Sequence, residues 1–144
     1  MFKQMKKRMK NEKGLTLIEL LAVIVILAII AAIAIPAIGN IIDNSRGKAL
    51  VADATNVMSA ANLYFADNPP DGTDNDITLA ELISAKYLES KGKLTSATVT
   101  YVPGGSNTID AAGENGGVTL NITGKTLQDL GGKVTVSNKT VSIN

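Results

Sequence analysis

The apolar residues of this chain follow three successive patterns: one unbroken run, then a helical period, then alternation. The unbroken run covers residues 15–35, in which only Thr16 and Glu19 are polar. A helix rises about 1.5 Å per residue, so this run spans about 30 Å, the thickness of a bilayer's hydrocarbon core. We therefore predict that residues 15–35 form a membrane-spanning helix.

The helical pattern continues beyond the apolar run. Between residues 37 and 66, apolar residues recur mostly at steps of three and four, and most charged residues lie off that stripe. This pattern predicts one helix from about residue 15 to residue 66, whose second half is amphipathic and packs on a folded head. Pro36 removes one backbone hydrogen bond and crowds the preceding turn, so we expect it to kink the helix or open it locally.

Short elements are predicted after residue 66. An acidic loop with two prolines comes first, and the spacing of Thr78 and Glu81 is that of a capping box, which predicts a helix that ends near Ser90. Residues that alternate between apolar and polar then predict four strands, at 98–102, 118–122, 133–137 and 140–143. Asn138 and Lys139, between the last two strands, are predicted to form a hairpin turn.

These elements define a predicted fold class. It is α+β: a long N-terminal α-helix, membrane-spanning in its first half, packed on a small, mainly antiparallel four-stranded β-sheet head. The glycine-rich loops between the strands do not match a phosphate-binding P-loop, so we interpret them as turns.

Charge is distributed unevenly along the chain. Residues 1–13 hold six of the 14 basic residues and one of the 13 acidic ones, although the whole chain has a net charge of +1. Basic residues beside a membrane helix stay cytoplasmic, so we predict a single-pass protein with a cytoplasmic N-terminus and an external head. Because the rest of the chain is acidic, direct nucleic-acid binding is not expected.

The chain lacks the residues on which much enzyme chemistry depends. It has no Cys and no His, so thiolate and imidazole catalysis and their metal ligation are excluded. The acidic residues after residue 66 do not have the spacing of an EF-hand loop. We identify no catalytic residue, no metal site and no cofactor, and we expect that the protein is not an enzyme.

Glu19 is the residue that a plain membrane anchor does not explain. A carboxylate within the hydrocarbon costs a few kcal/mol and usually has a function. The simpler alternative is that Glu19 lies only one turn inside the membrane and reaches the headgroups. Its neighbours decide between these alternatives, because residues 13–21 read Lys-Gly-Leu-Thr-Leu-Ile-Glu-Leu-Leu.

Residues 13–21, followed by the apolar helix and Pro36, resemble the class III signal peptide of type IV prepilins and pseudopilins. The resemblance implies that a prepilin peptidase cleaves between Gly14 and Leu15 and that Leu15 is N-methylated. Glu19 then takes the place of the family's glutamate at the fifth mature position. Leu15 departs from the family pattern, which usually has Phe there.

Cleavage after Gly14 would create a free amine at Leu15, which could pair with a Glu19 carboxylate. The amine could belong to the same subunit or to a neighbour, and the resemblance favours the neighbour. Glu19 and Pro36 are therefore the predicted assembly residues. The expected division of the chain is a leader (1–14), a transmembrane and filament-core helix (15–36), an amphipathic helix (37–66) and a globular head (67–144).

The resemblance implies a structural function, as a subunit of a type IV pilus-like filament. The expected partners are further copies of the chain in a helical homopolymer, the prepilin peptidase, the pilus assembly platform with its ATPase machinery, and membrane lipid before assembly. The expected location is the cytoplasmic membrane, and afterwards a filament on the bacterial surface.

Three alternatives remain at this stage. Within the family, the chain could be a major pseudopilin of a type II secretion or DNA-uptake system. From another class, it could be a single-pass membrane-anchored binding protein that never polymerises. Finally, residues 1–34 could be a simple secretory signal cleaved near Ala34, although the apolar run is longer than the usual region of about 7–15 residues.

Overall fold

The structure is a computed structural model, and it describes residues 16–144. The chain divides into two compact units, Met1–Asn40 and Ile41–Asn144. In the description of the structure, the head means the second unit, Ile41–Asn144. Helix α1 has the bounds Phe2–Asp67 and supplies residues to both units. In the described residues, α1 is long and apolar enough to cross a membrane. The single long helix predicted from the sequence is therefore confirmed.

Pro36 lies inside α1, and the helix continues without a break on both sides of it. The predicted local opening is absent from this structure. A proline removes only one backbone hydrogen bond, and the neighbouring Ala and Ile residues continue the helical backbone.

The second unit contains six strands and two short helices after α1. In chain order they are β1 (Asp76–Thr78), α2 (Leu79–Ser84), β2 (Leu94–Thr100), β3 (Thr108–Asn115), β4 (Val118–Thr126), α3 (Leu127–Leu130), β5 (Val134–Ser137) and β6 (Thr140–Ile143). They form one sheet in the order β1-β2-β3-β4-β6-β5. Each neighbouring pair is antiparallel except β4 and β6, which are parallel. The α+β class with a mainly antiparallel sheet is confirmed.

The predicted number of four strands was wrong, because β1 and β3 were missed. Strand β3 was missed because two of its three buried positions hold small residues. Its buried positions are Ile109, Ala111 and Gly113, which face the core. Gly113 is there because a Cβ would lie 2.8 Å from the Lys93 carbonyl oxygen and 2.9 Å from Leu94 Cα. Strand β1 is only three residues long and follows directly on the acidic loop.

The capping box of α2 is confirmed, but the helix is shorter than predicted. The Thr78 amide donates to Glu81 Oε2 at 2.8 Å, and the Glu81 amide donates to Thr78 Oγ1 at 3.4 Å. The helix ends at Ser84 and not near Ser90, because Lys86 is left-handed, with φ of 64°. The Tyr87 amide then donates to the Leu82 carbonyl at 3.0 Å, which closes the helix with a Schellman motif.

The core of the second unit lies between α1 and the sheet. Leu50, Ala54, Val57, Met58 and Ala61 of α1 are buried, at the three- and four-residue steps of an amphipathic helix. The opposing side chains come from all six strands and from α2 and α3, and those of β5 are only partly buried; the fully buried ones include Ile77, Leu82, Leu94, Val99, Ile109, Val118, Leu120, Leu130 and Val141. With no Cys in the chain, apolar packing and hydrogen bonds hold this core together.

Gly47 allows α1 to approach the sheet closely. A Cβ at this position would lie 2.5 Å from Val136 Cγ2 and 3.2 Å from Val141 Cγ2. In the described part of α1, the first buried side chain is that of Leu50, which follows three residues later on the same face of the helix. Close packing in the head therefore begins at Gly47.

We expect Gly113→Ala to destabilise the head. The added methyl meets backbone atoms of Lys93 and Leu94 that cannot rotate away, so the free energy of unfolding should fall by about 1–3 kcal/mol. The measurement is the thermal unfolding midpoint of the full chain in detergent, by circular dichroism. The matched control is Gly39→Ala, whose methyl meets no atom within 4 Å. Equal midpoints for the two variants would contradict this packing.

Candidate functional site

The most unusual surface of the protein is the first described part of α1. From Leu17 to Ile42, sixteen large apolar side chains are exposed, with exposed fractions from 43% for Ile42 to 70% for Ile35. They lie on all sides of the helix, so every face of this part of α1 exposes apolar side chains. Burial of such a side chain is worth about 1.5–3 kcal/mol, and their sum is on the order of tens of kcal/mol. Water is therefore a poor environment for this surface.

Glu19 is the one charged residue between Leu15 and Ile42. It is exposed on α1, among the apolar side chains of Ile18, Leu20 and Leu21. Any environment that covers these neighbours with apolar atoms also takes the carboxylate out of water. Such an environment has to supply a cation or a hydrogen-bond donor, because an isolated buried carboxylate is costly.

The predicted site residues are separated along α1 and do not form a pocket. Glu19 and Pro36 are 17 residues apart in the sequence, which is about 25 Å along a helix. Gly14 and Leu15, the predicted cleavage site, lie outside the described residues. The arrangement is that of a surface that runs along the helix, and Thr16, three residues before Glu19, has the one hydroxyl group in the described residues 16–40.

A polar cluster on the second unit was not predicted from the sequence. Lys139 Nζ lies 2.8 Å from Asp43 Oδ2, and Arg46 Nη1 lies 3.4 Å from Asp43 Oδ1. Arg46 also donates to the Gly116 carbonyl at 3.1 Å, and the Val136 amide donates to Asn44 Oδ1 at 3.1 Å. This cluster ties α1 to the β3–β4 turn and to the β5–β6 hairpin.

The β5–β6 turn places Lys139 in this cluster. Asn138 and Lys139 both have a left-handed backbone, with φ of 48° and 62°. Those angles are typical of a type I′ turn, and they confirm the hairpin turn predicted at these residues. The turn could be predicted from its own two residues, whereas the pairing of Lys139 with Asp43 could not, because Asp43 lies 96 positions earlier.

Polar contacts also join α1 to loops elsewhere in the second unit. Asp53 Oδ2 accepts from the Lys93 amide at 2.8 Å. Asn62 Oδ1 accepts from Asn107 Nδ2 at 2.8 Å, and Asn107 Oδ1 accepts from the Val102 amide at 2.9 Å. These hydrogen bonds satisfy loop groups that lie over the apolar core, and so they fix the loops on the helix.

The acidic loop after α1 uses its carboxylates to stabilise its own backbone. Asp71 Oδ1 accepts from the Thr73 amide at 3.0 Å, and Asp74 Oδ1 accepts from the Asp76 amide at 3.3 Å. The hydrogen bond from Thr73 holds the pKa of Asp71 below its usual range. In residues 16–144, no three or more Asp and Glu side chains are grouped so that they could hold a metal ion.

The comparisons with known proteins address the N-terminal segment. The family model described as the prokaryotic N-terminal methylation motif matches residues 9–35. This motif is the class III signal peptide of type IV pilins, so the match supports the pilin and pseudopilin family for this chain. Searches of curated proteins and of solved structures gave no match.

The match and the fold agree. A long apolar N-terminal helix followed by a mainly antiparallel sheet is a pilin-like α+β arrangement. Proteins of this family are structural subunits, and their motif implies processing by a prepilin peptidase and assembly into filaments. The residue-level interpretation of Gly14, Leu15, Glu19 and Pro36 remains a prediction.

We expect Asp43→Asn to reduce the acid sensitivity of the head. The hydrogen bond from Lys139, and then the charges of Lys139 and Arg46, hold the pKa of Asp43 below its usual range. A lowered folded-state pKa means that the ion pair stabilises the head above the unfolded-state pKa of about 3.9, and that this stability is lost as the pH falls through the folded-state value. Unfolding midpoints between about pH 5 and pH 2 should therefore fall less steeply in the variant than in the wild type.

The control for this measurement is Lys139→Gln, which removes the largest cause of the pKa shift and leaves the carboxylate in place. In this variant too, the unfolding midpoint should fall less steeply with falling pH than in the wild type. The double variant should resemble Asp43→Asn. Asp71, Glu81 and Asp129 also have lowered pKa values, so some acid sensitivity persists in every variant. An unchanged pH dependence in Asp43→Asn would show that this ion pair does not contribute.

Proposed function

We propose that this chain is the structural subunit of a type IV pilus-like filament. It is cleaved between Gly14 and Leu15 by a prepilin peptidase, is N-methylated on Leu15, and assembles through its N-terminal helix. The observation that carries the proposal is the helix surface from residue 17 to residue 42, which is apolar on all sides, holds one carboxylate, and leads into a folded head. The match of residues 9–35 to the methylation motif supports it.

Two environments cover this helix surface in succession. In the cytoplasmic membrane, lipid tails surround it, and the basic residues before residue 14 stay on the cytoplasmic side. In the filament, the helices of other copies surround it. Both environments exclude water from the same side chains, so transfer from one to the other does not expose the apolar surface to solvent.

Glu19 sets the register of assembly in this proposal. Cleavage leaves a free amine on Leu15, and the carboxylate of Glu19 pairs with the amine of a neighbouring copy. Removal of one partner from a buried ion pair costs about 3–5 kcal/mol, because the other charge remains without compensation. A subunit that is shifted along the axis leaves both charges unpaired, so only one register is stable.

The filament is an open assembly. A contact in which one surface of a subunit meets a different surface of the next copy generates a helix unless the rotation closes a ring. The assembly platform and its ATPase machinery supply the work that withdraws each subunit from the membrane. The head, Ile41–Asn144, forms its own core and needs no other copy to bury it.

We expect Glu19→Ala to abolish filaments without preventing leader cleavage. Loss of about 3 kcal/mol at each subunit contact lowers the equilibrium constant for subunit addition more than about 100-fold. The measurements are electron microscopy of surface filaments and the electrophoretic shift from precursor to mature chain. The matched control is Glu89→Ala, which removes an exposed carboxylate from the head and should leave filaments unchanged. Normal filaments in Glu19→Ala would contradict the register function.

We expect Gly14→Ala to stop the pathway one step earlier. The peptidase recognises the residue before the cleaved bond, so the variant should stay at precursor size in the membrane and form no filaments. The measurement is the size of the chain in the membrane fraction, with wild type and Glu19→Ala alongside as processed references. Mature-sized Gly14→Ala chain would show that cleavage occurs elsewhere.

A further inference from the structure

One end of the head carries an excess of negative charge. The acidic loop, defined here as residues 68–75, contains Asp71 and Asp74, and it is flanked by Asp67 at the end of α1 and Asp76 at the start of β1; all four are exposed. No Lys or Arg occurs between residues 49 and 85. The two salt bridges found in residues 16–144 both involve Asp43, so this loop takes part in neither.

A groove elsewhere on the head has the opposite charge. The basic groove, defined by Lys48, Val51, Leu130, Lys133 and Val134, lies between α1 and the segment that joins α3 to β5, with a volume of about 620 Å³. Val51 and Leu130 are buried and form an apolar floor, whereas both lysines are exposed. Neither lysine belongs to a salt bridge in the described part of the chain.

The acidic loop has a shape that favours binding. Pro69 and Pro70 fix two backbone angles, and the Asp71 and Asp74 carboxylates each hold a turn of the loop through the amide two residues later. A loop that is already ordered loses little conformational entropy when it binds. The loop presents the two carboxylates of Asp71 and Asp74, and the groove presents the two lysines Lys48 and Lys133.

A single copy cannot bring the two features together. The groove lies beside α1 at residues 48–56, whereas the acidic loop follows the end of α1 at Asp67. From residue 52 to residue 67 the helix rises about 22 Å. The acidic loop therefore reaches a basic groove only on another copy that is displaced along the helix axis.

We propose that the acidic loop of one subunit docks in the basic groove of the next subunit along the filament, with Asp71 and Asp74 facing Lys48 and Lys133. The inference rests on the proposed filament function and adds a contact between heads to the contact between helices. Because the two surfaces differ, the contact is heterologous and repeats without closing. The proposed occupant of the groove is a second copy of this chain, because the charges of the acidic loop and the basic groove are complementary.

The absence of Cys from the chain makes a disulfide test specific. Asp71→Cys and Lys133→Cys are introduced together in the full-length chain, and filaments sheared from cells are mildly oxidised. A disulfide forms only when the two Cα atoms approach within about 7 Å. We expect a ladder of covalent dimers, trimers and longer multiples of the chain on a denaturing gel, which collapses to monomer on reduction.

The matched control pairs Asp71→Cys with Lys91→Cys, an exposed lysine outside the groove. It should give no ladder. Filaments with a mature N-terminus but without a ladder in the Asp71/Lys133 pair would overturn the docking and leave the filament function intact. A conjugate whose mass is not a multiple of the chain would overturn it as well, since the occupant would be another protein. A chain that stays at precursor size and forms no filaments would overturn the filament function, and the docking with it.

Charge reversal tests the same contact without a cross-link. Lys48→Glu with Lys133→Glu should reduce filament yield at least about tenfold, because facing like charges cost several kcal/mol. Adding Asp71→Lys and Asp74→Lys should restore the yield. The control, Lys91→Glu with Lys125→Glu, makes the same change of net charge outside the groove and should not reduce it. Failure of the four-fold variant to recover, with the control unaffected, would refute the pairing.

Discussion

The exposed apolar surface of α1 is the constraint on which the rest of the protein depends. The head has a closed core of its own, with buried side chains from α1 and from most of the sheet, whereas residues 17–42 keep their large side chains uncovered. Water is a poor environment for this surface, and in the proposed function lipid covers it first and other copies of the same helix cover it afterwards. In the proposed filament, the carboxylate of Glu19 within this surface would turn non-specific apolar association into association with a defined register.

Helix α1 therefore has two physically different halves. In the second half, small residues decide the packing: Gly47 lets the helix approach Val136 and Val141, and Gly113 lets β3 pass close to β2. The Asp43, Lys139 and Arg46 cluster adds polar contacts to this packing without burying a charge deeply. Since the chain has no Cys and so no disulfide, these close contacts determine how well the head withstands heat and acid.

Patterns that are local in the sequence predicted most of the fold and of the candidate site. The apolar run, the helical period after it, the Thr78–Glu81 capping box and the Asn138–Lys139 turn each depend on neighbouring residues. Strand β3 was missed because its core positions include the small residues Ala111 and Gly113, and the size of Gly113 is limited by Leu50 and Leu94 from distant parts of the chain. The pairing of Asp43 with Lys139 was missed for the same reason, since nothing within either segment specifies the other.

The central claim is that the helix surface is made ready for assembly by cleavage directly before Leu15. The most direct test is the intact mass of the wild-type chain recovered from sheared surface filaments, together with its N-terminal sequence. We expect a chain that begins at Leu15 and carries one methyl group on its amine. A chain that keeps Met1, or one that begins near Ile35 and so lacks Glu19, would contradict it.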